Sequence, residues 1–485
     1  MTIGMPIRRL SSGVVGLDEV LGGGIPELSF NLIIGGPGCG KTTLGHHIAF
    51  ANATPESKAL YFTVIGEPPI KMLRYQQQYS FFDTKKVGDS IHFVNLASDA
   101  VAGGLGAVLA RIIEEVQRIG PALVIVDSFR SVMRHLASTS TDLGVEDFIQ
   151  RLALELTSCE ATTFLLGEYT HSQDDNPVFT VADGIITLQQ SVERNSVVRK
   201  LQVVKMRGQG QIPGLQTMRI DQDGLSVFPR LLNPTNTLPK DAYEGRLETG
   251  VAGLDAMLGG GVPRGYSVLV AGPSGSGKTI LTNQFIYEGG KKGEPGIVAV
   301  FEKRPNDYMQ TTPFRHDFDR MTAAGKLEIL YLRPLDLSID ETLLAMRKAV
   351  ERVGAKRAVI DSLSGLELAL APTFRDDFRE SLYRMVGALT GLGVTVMSTV
   401  ELSDSFVDLK FSPQSIAFLT DAIIMQRYVE IDGDLRRAIG VVKVRGSQHS
   451  KEVREYTIGT DGRLAVGGAL KGYVGLLSGS PRKTI

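Results

Sequence analysis

Short apolar runs, each bounded by glycine, proline or a carboxylate, recur along the chain at a length suited to one buried strand. In the first half they fall at residues 31–34, 59–65, 122–126, 162–166, 181–188 and 197–206. In the second half they fall at 266–271, 295–301, 357–360, 394–400, 419–426 and 437–444. Stretches of helical character separate them, most plainly 42–51 and 280–288. Strands alternating with helices predict an α/β fold with a mainly parallel sheet flanked by helices in each half. Ligands are then expected at the carboxyl ends of the strands. Asp221-Gln-Asp-Gly224 reads as a hairpin turn. Residues 233–240 carry two prolines and no periodicity, so they read as a linker.

The run at 266–271 feeds Gly272-Pro-Ser274-Gly275-Ser276-Gly277-Lys278-Thr279, and Ile280 opens the helical stretch behind it. Strand, glycine-rich loop, Lys-Thr and helix form the context of a phosphate-binding P-loop. Glycines let successive backbone N–H groups turn inward around phosphate oxygens. The helix N-terminus adds unpaired N–H groups and partial positive charge. Lys278 can reach the β- and γ-phosphates, and the Thr279 hydroxyl can hold Mg²⁺. A second copy, Gly35-Gly-Pro-Gly38-Cys39-Gly40-Lys41-Thr42-Thr43, lies 237 residues upstream. At the same offset Gly16-Leu-Asp-Glu-Val-Leu-Gly-Gly-Gly-Ile-Pro26 matches Gly253-Leu-Asp-Ala-Met-Leu-Gly-Gly-Gly-Val-Pro263. The chain is a tandem duplication of a P-loop NTPase domain. The expected boundaries are residues 1–232, a linker at 233–246, a second domain at 247–466 and a tail at 467–485.

Aspartates end the third run of each half, Asp127 and Asp361, in the Walker-B arrangement that sits near the metal. RecA-type ATPases hold the carboxylate that orients the attacking water just beyond a central strand, which nominates Glu67 and Glu302. Glu168 and Glu401 end a further strand each and are weaker candidates to sense the γ-phosphate. Each half also places a Lys-x-Arg-Gly element at the end of a late strand, Lys205 with Arg207 and Lys443 with Arg445. One reading is a charge pair on a solvated edge. The sharper reading is an arginine finger given to the γ-phosphate of a neighbouring copy, worth about 10³–10⁵ in rate in other systems. A head-to-tail contact of that kind closes into a ring.

Composition narrows the setting. Among 485 residues, 43% are apolar and 22% charged, as in a soluble globular protein. A formal net charge of −1, with no basic run, argues against a protein that coats nucleic acid. The two cysteines, Cys39 and Cys159, cannot supply a disulfide framework, so a reducing cytoplasm is expected. The sequence offers no apolar leader and no run suited to a membrane span.

Together the two P-loops, the paired Gly-Leu-Asp segments and Tyr428-Val-Glu-Ile-Asp-Gly with Arg437-Ala-Ile resemble the KaiC family of the RecA superfamily, over nearly the whole chain. The Lys443–Lys451 element and Leu477-Ser-Gly-Ser-Pro481 extend the resemblance. It implies a homohexamer of two stacked rings with ATP and Mg²⁺ between subunits. In it Arg437, Lys443, Val444, Arg445, Ser447, His449 and Lys451 contact the neighbour's nucleotide, and Lys205 and Arg207 do so in the N-terminal ring. It also implies a small KaiB-like regulator or a signalling histidine kinase as partner. Four departures qualify this. Ala417 and Phe418 stand where clock members carry a Ser-Thr phosphoacceptor pair, which argues against Ser/Thr autokinase chemistry there; Ser412, Ser415 and Thr420 are out of register. The family's paired glutamates are matched by Gly66-Glu67 and Glu302-Lys303, one carboxylate each. Arg207-Gly-Gln-Gly-Gln211 replaces the hydroxyl-x-His pattern of Arg445-Gly-Ser447-Gln-His449. The sequence ends four residues past Pro481, which argues against a KaiA-type contact. The leading expectation is an ATPase that signals or keeps time through its cycle. The alternatives are a nucleic-acid-dependent ATPase of the recombinase or ring-helicase type and a nucleotide-gated assembly scaffold.

Overall fold

The computed structural model describes residues 7–63, 69–128, 145–168, 177–193, 196–230, 244–332, 337–375, 377–402, 419–477 and 481–483. Glu67, residues 231–243, Ser412, Ser415, Ala417 and Phe418 lie outside the described residues. The chain divides into two compact units, Met1–Arg230 and Leu231–Ile485.

The N-terminal unit is built on nine strands: β1 (Phe30–Gly35), β2 (Ala59–Thr63), β3 (Ile91–Asn95), β4 (Leu123–Asp127), β5 (Thr162–Gly167), β6 (Gly184–Glu193), β7 (Ser196–Met206), β8 (Gln216–Asp221) and β9 (Gly224–Phe228). Their order across the sheet is β9-β8-β7-β6-β1-β5-β4-β2-β3. The strands from β6 to β3 run parallel; β7, β8 and β9 continue antiparallel. The C-terminal unit repeats this plan with β10 (Ser267–Gly272), β11 (Gly296–Val300), β12 (Leu327–Tyr331), β13 (Arg357–Asp361), β14 (Thr395–Glu401), β15 (Ala422–Ile431), β16 (Asp434–Val444), β17 (Val453–Ile458) and β18 (Leu464–Ala469). The order is again the same, β18-β17-β16-β15-β10-β14-β13-β11-β12.

The continuous apolar runs follow from this layering. Successive side chains of a strand point to opposite faces, and both faces of each sheet are covered by helices, so both must be apolar. In β10 Val268 and Val270 join one core while Leu269 and Ala271 join the other. In β1 Ile33 divides from Leu32 and Ile34 in the same way. The Gly-Leu-Asp segments act locally. Asp18 accepts from Ser12 N (2.8 Å), and Asp255 from Thr249 N (2.7 Å), pinning the entry into each unit.

Two expected strands start later than their apolar runs. Val181 ends a short helix, Pro177–Val181, and β6 begins only at Gly184; β15 likewise begins at Ala422. The reason is the aspartate between them. Asp183 N donates to Phe30 O and Asp421 N to Ser267 O, so each aspartate turns the chain in beside the loop strand. The expected hairpin forms between Asp221 and Gly224. β18 runs to Ala469, beyond residue 466, and Tyr473–Val474 pairs with Arg482–Lys483.

Candidate active sites

In the C-terminal unit the loop leaves the carboxyl end of β10 and turns into the helix Lys278–Lys291. Gly275 and Gly277 hold φ of 73° and 93°, values that an L side chain seldom takes. Lys278 Nζ folds back over the loop and donates to Gly272 O (2.9 Å) and Pro273 O (2.7 Å). This keeps the ammonium at the mouth of the loop, where phosphate oxygens can replace the carbonyls. Burial lowers its pKa from the ordinary lysine value, against the pull of Glu401, Asp361 and Glu302. Thr279 Oγ1 donates to Asp361 Oδ2 (2.9 Å), and Thr399 Oγ1 from β14 donates to Asp361 Oδ1 (2.6 Å). Glu302 lies just past β11, and its Oε1 accepts from Ser362 Oγ (3.1 Å). A Cβ on Gly365 would sit 2.6 Å from that oxygen, so the glycine makes room for the carboxylate. Ser274, Lys278, Thr279, Ile280, Glu302, Lys303, Asp361 and Glu401 all line one cavity of about 420 Å³.

The N-terminal loop repeats the first layer. Lys41 Nζ donates to Gly35 O (2.9 Å) and Gly36 O (2.8 Å), and Thr42 Oγ1 to Asp127 Oδ2 (2.7 Å). The second layer differs. Tyr61 of β2 donates its hydroxyl to Asp127 Oδ2 at 2.9 Å, a role that Thr399 plays from the opposite neighbour in the other unit. Burial raises the Asp127 pKa, and the hydrogen bonds from Thr42 and Tyr61 hold it down. Cys39 is buried, its thiol donating to Gly36 O, and burial pushes its pKa up. Gly38, Gly40, Lys41, Thr42 and Thr43 line a cavity of about 340 Å³ together with Tyr79, Arg199 and Ile220.

Arg199 is a site residue that the sequence did not single out. It pairs across the hairpin with Gln190, as Arg437 pairs with Tyr428. Arg437 places its guanidinium 5.7 Å from the Tyr428 ring centroid. The signal was available, since the two arginines occupy matching positions of the repeat.

The two water-orienting candidates do not fall at the same sequence offset in the repeat. Thr63 pairs with Asp127 and Val300 with Asp361. Along the sequence Glu302 follows Val300 by two positions and Glu67 follows Thr63 by four, so the residue matching Glu302 in the repeat is Ile65; Ile65 and Glu67 lie outside the described residues.

The Lys-x-Arg elements do not reach their own cavities. Arg445 meets Asp421 Oδ1 at 3.4 Å, and Asp421 Oδ2 accepts from Ser267 N (3.0 Å), at the amino end of β10. The P-loop leaves the other end of that strand, roughly 16 Å away at 3.3 Å per residue. Arg207 is held likewise, with Asp183 at 3.0 Å and Asp183 bound to Phe30 N. Lys443 Nζ donates to Thr420 O (2.6 Å) and Lys205 Nζ to Phe179 O (3.5 Å). A register shift precedes each lysine: Ile423 faces Lys443 but Ile424 faces Val441, and Ile185 faces Lys205 but Ile186 faces Val203. Bulges of this kind re-aim the side chains that follow. Val444 is buried, leaving only its backbone for a ligand, while Lys451 is exposed. Ser447 Oγ accepts from Arg246, whose other nitrogen donates to Leu258 O (2.9 Å) and Gly261 O (2.8 Å). In the N-terminal unit Gln209, at the Ser447 position, itself donates to the matching carbonyls of Leu21 and Gly24.

A parallel sheet with a P-loop at its carboxyl edge, a Walker-B aspartate hydrogen-bonded to the loop threonine, and a second copy of both define a tandem P-loop ATPase of the RecA-like class. A model of the KaiC ATPase family matches residues 10–231 and again 247–468. The chain belongs to the KaiC family of ATPases. It is 28% identical over 487 residues to the circadian clock oscillator protein KaiC of a Picosynechococcus strain, covering 98% of this chain and 93% of that protein. It is 26% identical over 496 residues to the circadian clock protein KaiC3 of a Synechocystis strain, covering 99% and 95%. Among the described residues, no helix is long and apolar enough to cross a membrane.

Proposed function

We propose that both loops bind ATP with Mg²⁺, that six copies assemble into a double ring, and that the C-terminal site hydrolyses its nucleotide as the working step of a signalling or timing cycle. Lys278 holds the β- and γ-phosphates, Glu302 orients the attacking water, and Lys443 and Arg445 of one copy complete the site of the next. Arg437, Val444, Ser447, His449 and Lys451 extend that neighbour contact. Lys41, Lys205, Arg207 and Arg199 do the corresponding work in the N-terminal ring. The hydroxyl–carboxylate pairs Thr279–Asp361 and Thr42–Asp127 are oxygen donors of the kind Mg²⁺ takes. A bound Mg²⁺ would neutralise charge on the phosphates.

The observation that carries this reading is the position of Arg445. It is anchored at the amino end of the strand whose carboxyl end carries its own P-loop, so the phosphate it can serve belongs to another copy. The clock role rests on the relatives' names, and the small-regulator or histidine-kinase partner on the resemblance. Ser/Thr autokinase chemistry is not part of the proposal, because Ala417 and Phe418 carry no hydroxyl. The test is particle mass with and without ATP, read beside phosphate release. A six-copy particle that forms with ATP and releases phosphate supports the reading; undiminished release from single chains refutes it.

A further inference from the structure

The carboxylate that holds each lent arginine also holds the lender's own loop strand. Asp421 divides its two oxygens. Oδ2 accepts from Ser267 N (3.0 Å) and Ser267 Oγ (2.8 Å), and Oδ1 faces the Arg445 guanidinium. Its backbone joins the same two segments: Asp421 N donates to Ser267 O (2.9 Å) and Arg445 N to Asp421 O (2.8 Å). Asp183 repeats the pattern, with Oδ2 on Phe30 N, Oδ1 on Arg207, and backbone bonds to Phe30 and Arg207. The flanking residues differ between the units, Val-Ala before Asp183 and Leu-Thr before Asp421, yet the four-way junction is kept. A capping role alone would need only the oxygen on the strand.

We propose that Asp421 and Asp183 are positioning residues that fix the lent arginine to the base of the strand carrying the lender's own P-loop. The proposal rests on the reading that Arg445 serves the next copy. The Asp421 and Arg445 side chains are 26% and 56% exposed, so the ion pair is a modest restraint rather than a strong bond. Its value lies in orientation, since a guanidinium displaced by about 1 Å from its productive place can lose much of its effect.

The test compares Asp421→Asn, Arg445→Ala and the double variant in the full-length protein, measuring ATP turnover, nucleotide binding and melting temperature. Asparagine keeps an oxygen for Ser267 and removes the charge that holds Arg445. The expected results are at least a hundredfold loss of turnover for Arg445→Ala, about fivefold for Asp421→Asn with binding and melting unchanged, and no further loss in the double variant. Unchanged turnover in Arg445→Ala removes the underlying reading. A full effect of Arg445→Ala with no effect of Asp421→Asn, or additive losses in the double variant, overturns the anchor alone. If Asp421→Asn lowers the melting temperature, Asp421→Glu, which keeps the charge, decides: restored turnover supports the anchor and continued loss refutes it.

Discussion

The two P-loops share their innermost contacts and differ in what surrounds them. In both, the loop lysine bridges two carbonyls and the loop threonine holds the Walker-B aspartate. Around Asp127 the N-terminal unit packs aromatic rings: Tyr61 is fully buried and stacks on His46, with ring centroids 4.5 Å apart. Around Asp361 the C-terminal unit places a small threonine and opens a cavity lined by three carboxylates, Glu302, Asp361 and Glu401. Tyr308 and Asn283 form the inner wall there, joined by a hydrogen bond, and Asn283 occupies the position of His46 in the repeat. Duplication has kept the cradle and let its surroundings diverge, and the proposal that the C-terminal site is the working hydrolase rests on that difference.

The sharpest way to break this division is at the water-orienting carboxylates. Glu302→Gln is expected to lower total ATP turnover by about a hundredfold, the scale of a removed general base, while Glu67→Gln changes it by less than about twofold. Phosphate release on each variant checks this; a larger loss with Glu67→Gln reverses the assignment of the two units.

A smaller difference is expected in acid. Burial pushes His46 down to about 3, assisted by the charge of His47, and burial pushes His47 down to about 4. The folded N-terminal unit therefore refuses protons that the unfolded chain accepts near pH 6.5. Stability is fully present above that pH and falls as pH drops toward 4, by ~1.4 kcal/mol per pH unit for each histidine. At pH 5.5 the two histidines together cost the N-terminal unit about 2–3 kcal/mol. His47 would also lose the acceptor nitrogen that takes Leu225 N–H. Hydrogen exchange resolved by unit, between pH 7 and 5, should show N-terminal protection falling first; His46→Asn, which installs the C-terminal residue, should narrow the gap.

What the sequence made legible was whatever a short stretch specifies by itself. The loop Gly272-Pro-Ser-Gly-Ser-Gly-Lys-Thr, the aliphatic runs ending at Asp127 and Asp361, and the turn at Asp221 each depend on neighbours in the chain. The sheet plan followed from their alternation, and the duplication fixed it twice. The second layer was not legible, because its contacts join distant residues. Tyr61 reads as one more apolar strand residue until the fold sets it against Asp127, 66 positions away. The replacement of Ser447 by Gln209 looked like a lost ligand pattern. The structure gives it a local purpose, since Gln209 bonds the carbonyls that Arg246 bonds in the other unit. The bulges before Lys205 and Lys443 leave no mark in composition, as valine fits a bulge and a regular strand alike.

The proposal that cations cross from one copy to the next is tested directly by mixing two inactive variants. Lys278→Ala protein keeps Arg445 but cannot hold phosphate; Arg445→Ala protein keeps the loop but has nothing to lend. Dissociated, mixed and reassembled with ATP, they should regain phosphate release well above either alone, because some interfaces then pair an intact loop with an intact arginine. If every mixture stays as inactive as its components while the mixed particles assemble normally, each copy supplies its own arginine and the account is contradicted.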